Sequence, residues 1–341
     1  MTGAAFAPRR LPGPAIVIVN PKASRIRNVR RGEAIMAQVD AWVRSTTGQA
    51  PVVVRVEDAG SIDAAGQDAV RSGAGLVIAV GGDGTVAALT ADLAGSGIPL
   101  AIIPGGTGNV LATALGIPDS PAKAVAALTD GVRRAIDLGS ALLPATANAS
   151  PDDRAAGADH EAGPPAIPSR LFAVAAGVGW DARVMAATAG SHKHRLGRLA
   201  YWVSALGLLG EMRPSPYVID VDGERLELEA TVALVANAGE LIPGLVRPRL
   251  PIVPDDGLLD LLVLRVASVA GGIRGALELL DRTDLGGSPS GAAFRARGRV
   301  IRIEAIPAQP RQVDGDGHGT GVLEATVRAG ALDVIVPRTD P

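Results

Sequence analysis

Apolar and polar residues alternate in blocks along the first 140 positions. Apolar, β-branched runs of strand length occur at 15–19, 52–56, 76–80 and 100–103. Ala-rich segments lie between them, and those at 33–43 and 62–70 carry their apolar residues at helical spacing. Near-continuous apolar strands separated by helices imply a parallel sheet covered on both faces. The pattern therefore predicts an open α/β domain over residues 12–140.

Between 144 and 169 the pattern stops, and Ile167 is the one large apolar residue in that stretch. A segment that buries so little apolar surface cannot offset the entropy of ordering itself, so a flexible insertion is expected there. From 170 onward short strand-like runs follow at 171–176, 217–221, 231–236, 258–263, 299–303 and 323–327, separated by Gly, Pro and Asp-Gly turns. One helical stretch, 196–212, interrupts them. This pattern predicts a mainly antiparallel β-sandwich over 170–327. The last run, 332–336, is expected to return to the first domain, which residues 328–341 would complete.

The 341 residues suffice for two domains, and only 2% are aromatic, so the cores must be built from Val, Leu, Ile and Ala. A net charge of −2 argues against nucleic acid as a general partner, because neutralising phosphates needs a basic surface. Cysteine is absent, which excludes disulfides, thiolate metal sites and a Cys nucleophile. Arg9 and Arg10 precede an apolar run that ends at Asn20-Pro21 after strand length, too short for a secretory signal. No run of roughly 20 apolar residues is present, so a soluble, cytoplasmic protein is expected, meeting membranes at most peripherally at their inner face. Nothing in the chain bears on oligomeric state, and a homodimer stays open.

Two glycine loops carry the candidate chemistry. The run 76–80 leads into Gly81, Gly82, Asp83, Gly84 and Thr85, and 100–103 leads through Pro104 into Gly105, Gly106, Thr107, Gly108 and Asn109; a helical run follows each. Where a parallel strand passes into a helix, backbone N–H groups and the helix dipole favour an anion, and glycine lets the backbone approach a phosphate. Asp83 would repel a phosphate unless a magnesium ion lies between them. Thr107 and Asn109 offer short polar groups at the same edge. One such loop is often a tight turn; two on neighbouring strands would share a crevice at the sheet's carboxyl edge. A third element, Asn20, Pro21, Lys22, Ala23 and Ser24, ends the first strand and opens the most basic stretch of the chain, with Arg25, Arg27, Arg30 and Arg31. It reads either as a phosphate contact or as the cap of a helix with a solvated basic face.

GGDGTV followed by PGGTGNVLATALGIP resembles the catalytic domain shared by bacterial diacylglycerol kinases and by sphingosine and ceramide kinases. The resemblance continues in order through VAAGVGWDARV (174–184), GRLAYWVSAL (197–206), PDDGLLDLLVL (254–264) and QVDGD (312–316). It implies an ATP-dependent lipid kinase that moves the γ-phosphoryl group of Mg·ATP to a lipid hydroxyl. On the matching positions Asn20–Ser24, Gly81–Thr85 and Thr107 would contact ATP. Asp256, with the backbone carbonyls of Val253 and Leu258, would hold a structural magnesium ion; for Asp255 and Asp260 a hairpin turn is the alternative. Asp316 would be the general base, with Asp314 supporting a metal and water network around Asp83. Four positions depart from the family's usual pattern: Asp316 stands for Glu, Ala87-Ala88 for Asn-Glu, Arg25 for Gly, and Val56–Glu57 replaces a Thr.

For the lipid side, 196–212 has an apolar face with Tyr201 and Trp202 behind a basic flank, and reads either as a membrane-surface helix or as one packed on the sandwich. The Gly/Pro-interrupted loop 237–249 would gate an acyl-chain pocket. His160, His192, His194 and His318 lack metal-ligand spacing and receive no role. Diacylglycerol is the expected acceptor. A sphingoid-base kinase, an NAD-kinase-like enzyme and a non-catalytic nucleotide- or lipid-binding protein stay open beside it.

Overall fold

A computed structural model describes residues 11–144, 169–179, 213–239, 252–265 and 291–338. The expected insertion at 144–169, the helix at 196–212 and most of the loop at 237–249 lie outside the described residues. The chain divides into two units, one running to Leu138 and resuming at Ala329, the other spanning Gly139–Arg328.

The first unit is a parallel sheet wrapped by helices. Its elements are β1 (Ala15–Val19), α1 (Val29–Thr47), β2 (Val52–Arg55), α2 (Ala59–Arg71), β3 (Leu76–Gly81), α3 (Asp83–Leu93), β4 (Leu100–Pro104), α4 (Val110–Ala114) and α5 (Pro121–Ala127). The strand order is β2-β1-β3-β4, with all neighbours parallel. Every residue of β1, β3 and β4 is buried, as unbroken apolar runs require. β2 is the edge strand, and Val52 and Val53 stay exposed.

Both helices outgrow their periodic segments because caps lie beyond them. Asn28 accepts a hydrogen bond from Arg31 N to start α1, and Gly48 closes it at φ 74° with its N–H on Arg44 O. Asp58 and Ser61 form a reciprocal capping box on α2.

Asp92 of α3 faces Gly66 of α2, and its Oδ2 is buried without a hydrogen-bond partner among the described residues. Burial, reinforced by Asp63 and opposed by Gln67, pushes its carboxyl up to about 6. The neutral acid is the form the fold prefers. The contribution of this group to stability is therefore greatest below the ordinary carboxylate pKa of 3.8 and is lost as pH rises through about 6. The full shift corresponds to at most about 3 kcal/mol, reduced because the group is partly solvated. Asp92→Asn is expected to raise the unfolding temperature at pH 8 and to flatten its pH dependence between 4 and 7 (on the order of these bounds), as thermal melts across that range will show.

The second unit is an antiparallel β-sandwich. One sheet runs β12 (Ala293–Gly298), β11 (Leu259–Leu264), β10 (Val232–Ala236), β7 (Ala175–Gly179), β14 (Pro310–Val313) and β15 (Asp316–Thr320). The other contains β13 (Val300–Ala305), β8 (Ser215–Val221) and β9 (Glu224–Ala230) in succession beside the first part of β16 (Leu323–Val336). Alternate residues of both sheets make the core: Val178, Val235, Leu261 and Val263 against Tyr217, Ile219, Ile301, Ile303 and Leu323. Burying each such side chain contributes about 1.5–3 kcal/mol.

Several elements differ from expectation. The run at 171–176 is two strands, β6 (Ser169–Phe172) and β7. The chain breaks there because the Asp314 carboxylate accepts the N–H groups of Ala173, Val174 and Ala175 at 2.9–3.0 Å, taking them out of any ladder. The runs 323–327 and 332–336 are one strand, β16, which passes through Gly330 at φ 59°. Its last part pairs in parallel with β4, Val334 opposite Leu100. The Gly330 N–H meets Asp137 Oδ1 at 2.8 Å. Asp137 belongs to β5 (Val132–Leu142), a strand whose Arg133, Arg134 and Asp137 conceal it from pattern reading. β9 and β12, equally rich in charge, are likewise invisible to it.

Candidate active site

All three candidate loops of the first unit lie at the carboxyl ends of parallel strands, after β1, β3 and β4. The Gly105 carbonyl ties the first to the third, accepting Arg25 N at 2.9 Å and Ser24 Oγ at 3.4 Å. Gly105 N in turn donates to Gly81 O at 2.6 Å. Asn20 donates its backbone N–H to Val80 O, accepts Lys22 N at 2.9 Å on Oδ1, and reaches Thr85 Oγ1 at 3.4 Å with Nδ2. Pro21 and Ala23 shape this turn, Ala23 N donating to Asn20 O. Lys22 is exposed and its Nζ lies on Glu57 O at 3.2 Å.

The second loop begins α3 itself. Gly82 is the N-cap and Asp83 the first helical residue, so the N–H groups of Asp83, Gly84 and Thr85 have no partner within the helix. Asp83 binds the neighbouring loop: its Oδ2 accepts Asn109 N at 2.8 Å and its Oδ1 accepts Val110 N at 2.6 Å. The carboxylate is a clasp between the two glycine loops, a use that motif reading did not anticipate.

The glycines follow from the same clasp. A Cβ on Gly106 would lie 2.7 Å from Gly82 Cα, one on Gly105 would lie 3.3 Å from Gly81 Cα, and one on Gly108 would lie 2.5 Å from Asp83 Oδ2. Only by lacking side chains can the loops approach this closely. Gly84 differs, for it is exposed and a Cβ there would meet nothing. The approachable backbone of this edge is thus the first turn of α3. Of the polar residues in the third loop Thr107 is exposed, while Asn109 is buried at φ 53° and serves the loop: Oδ1 accepts Gly106 N, and Nδ2 donates to Gly106 O and to Asp119 Oδ1. Asp119 is a residue no motif announced. It also pairs with Arg25 at 2.6 Å, so the Arg that replaces the family's usual Gly links the first loop to the third.

In the second unit, Asp316 opens β15 and is exposed at the tip of the β14–β15 hairpin. The tip is rigidly mounted. Asp314, at φ 45°, holds three backbone N–H groups and donates its own N–H to Ala175 O, and Gly315 N donates to the buried Gln312 Oε1 at 2.8 Å. Asp314 therefore anchors the hairpin to the backbone of 173–175. His318 follows Asp316 by two residues. Burial pushes its imidazole below the ordinary value; Arg170 and Arg311 add to this and Asp316 opposes it.

At the expected magnesium position Asp256 Oδ1 accepts Leu258 N at 3.1 Å, and Oδ2 is paired with Arg297. Magnesium wants a near-octahedral shell of oxygens, whereas the carboxylate's outward oxygen faces a guanidinium. This donor set does not fit the cation. Among the described residues no cluster of three or more His, Asp or Glu side chains suits a metal.

The chain combines an α/β unit carrying two glycine loops with an antiparallel sandwich unit. Residues 14–141 match the diacylglycerol kinase catalytic domain, and residues 173–336 match the YegS C-terminal NAD kinase beta sandwich-like domain. The first domain of the chain, residues 14–141, belongs to the diacylglycerol kinase catalytic-domain family. Among curated proteins it is similar to the uncharacterized protein sll0036 of Synechocystis sp., with 26% identity over 173 residues; the match spans 50% of this chain and 39% of that protein's length. Among solved structures it is similar to a diacylglycerol kinase from Bacillus anthracis str. Sterne, with 22% identity, 95% of this chain and 96% of that one covered, and a TM-score of 0.66. Another chain from the same organism reaches a TM-score of 0.69 at the same identity and coverage. At this identity the likeness is one of fold.

Proposed function

We propose that this chain is an ATP-dependent lipid kinase that transfers the γ-phosphoryl group of Mg·ATP to the hydroxyl of diacylglycerol, giving phosphatidic acid and ADP. The observation that carries the reading is the clasped pair of loops, which leaves the first turn of α3 open at Gly84. Unpaired N–H groups at a helix start carry a partial positive charge of roughly half a unit and favour phosphate oxygens. Ser24 and Thr107, both exposed, lie at the same sheet edge and offer hydroxyls, while Asn20 and the buried Thr85 hold the first two loops beside each other. Mg2+ enters with the nucleotide.

Phosphoryl transfer asks mainly for positioning and charge stabilisation. The loops hold the triphosphate. The lipid oxygen bonds to the γ-phosphorus as the bond to the bridging β–γ oxygen breaks, and the hydroxyl proton passes to Asp316. Mounting that carboxylate on an anchored hairpin tip limits the motion it must lose before accepting the proton. We take the lipid to be met at a membrane surface; among the described residues no helix is long and apolar enough to cross one.

Radiolabelled ATP offered with diacylglycerol, sphingosine and NAD side by side tests the acceptor. Label is expected in phosphatidic acid. Label in a sphingoid base or in NADP would reassign the substrate. ATP binding with no transfer to any lipid of a mixed extract would make the chain a binding protein.

A further inference from the structure

The β11–β12 pair carries a compact cluster of charge outside the loops and the Asp316 hairpin. Register places Asp260 opposite Arg297 and Leu262 opposite Arg295, so Asp260, Arg295 and Arg297 share one face of the sheet. Arg295 Nε and Nη2 both reach Asp260 Oδ1, at 3.0 and 2.6 Å, and the two side chains are 1% and 0% exposed. Arg297 Nε lies 3.3 Å from the same oxygen, and its Nη2 pairs with Asp256 Oδ2. Asp256 Oδ1 is taken by Leu258 N, which closes the turn that leads into β11.

Two carboxylates and two guanidiniums make the cluster neutral, and half of it is removed from water. A divalent cation added at Asp256 would leave a net charge of +2 beside a buried ion pair, or would have to displace a guanidinium that two carboxylates hold. Both are unfavourable where water screens poorly. We infer that Arg297 is a built-in cation at the position where the family resemblance expects structural magnesium, so that the turn before β11 keeps its shape without divalent metal. A tethered guanidinium has no dissociation constant to satisfy; it is hydrogen-bonded to Asp256 and lies 3.3 Å from the Asp260 carboxylate. Asp255 is exposed in the same turn. The inference confines any need for Mg2+ to the nucleotide and stands whether or not the chain phosphorylates a lipid.

The test uses the full chain without nucleotide. Wild-type protein is expected to unfold at the same temperature in EDTA as in millimolar Mg2+, and elemental analysis after desalting is expected to find no retained magnesium. Arg297→Ala is expected to unfold several degrees lower, with part of that loss restored by Mg2+, and the restoration is expected to vanish when Asp256→Asn is added. Arg297→Lys keeps a charge at the site and is expected to stay indifferent to metal. Should Arg297→Ala not fold, the wild-type arm decides. A wild type that loses several degrees in EDTA, or retains one magnesium ion that Asp256→Asn abolishes, overturns the inference. An Arg297→Ala variant that folds and gains nothing from Mg2+ overturns it as well.

Discussion

Asp316→Asn is expected to lower lipid phosphorylation by about 10²–10⁴-fold, the usual contribution of a general base, while nucleotide affinity and unfolding temperature stay at wild-type values. The substitution keeps the volume and removes the capacity to take a proton. Asp316 is exposed, and among the described residues its carboxylate accepts no hydrogen bond, so its loss falls in the range of surface changes, within about 0.5 kcal/mol. Two residues earlier Asp314 holds three backbone N–H groups, and losing it would disturb the fold instead. That contrast separates a chemical role from a structural one. Asp316→Glu is expected to retain most of the activity, since the family usually places Glu there. Initial rates, equilibrium nucleotide binding and thermal melts on the three proteins make the comparison. A wild-type rate in Asp316→Asn would remove this residue as the base.

Asp83→Asn is expected to destabilise the nucleotide-free protein by about 2–4 kcal/mol and to weaken ATP binding at least roughly tenfold. Each of its two backbone hydrogen bonds involves an ionised acceptor and contributes about 1.5–3 kcal/mol. An amide retains one acceptor and turns an N–H toward a second N–H. The glycine loops would then part, because Gly106 and Gly82 approach closely only while Asn109 and Val110 are held. If Asp83 acted on the nucleotide's metal alone, Asp83→Asn would leave the melting of the nucleotide-free protein within about 0.5 kcal/mol of wild type. Melting without nucleotide is therefore the deciding measurement. Gly108→Ala, whose Cβ would press on Asp83 Oδ2, is expected to shift it in the same direction.

Much of the site is legible as a motif, and the structure adds the packing that its residues also serve. The loops follow buried strands, as their apolar runs imply, and GGDGT opens a helix. Glycine was read as permission for a phosphate to approach. The structure gives Gly105, Gly106 and Gly108 a nearer reason, the packing of one loop on another, and reserves open space for Gly84. Asn109, expected at the same edge as Thr107, closes its own turn with its side chain. Asp119, which joins the first and third loops through Arg25 and Asn109, carried no signal, because a lone Asp before Ser-Pro resembles any helix-start residue.

Local physics explains what the chain's order of residues determined unaided: the α/β half, the strands of the sandwich core, and the places where loops had to be glycine. Unbroken apolar runs, periodicity and turn chemistry act over a few residues and leave their trace in composition. What tertiary structure alone decided lies in pairings between distant positions. β5 is a strand although its charges argue against one, because Asp137 meets Gly330 N across 193 positions. Asp83 is a clasp because Asn109 and Val110 come to it, and Asp256 faces a guanidinium because β12 returns beside β11. A carboxylate's partner is set by which backbone or cation folding brings within about 3 Å, and that distance is not written in the spacing of the motif.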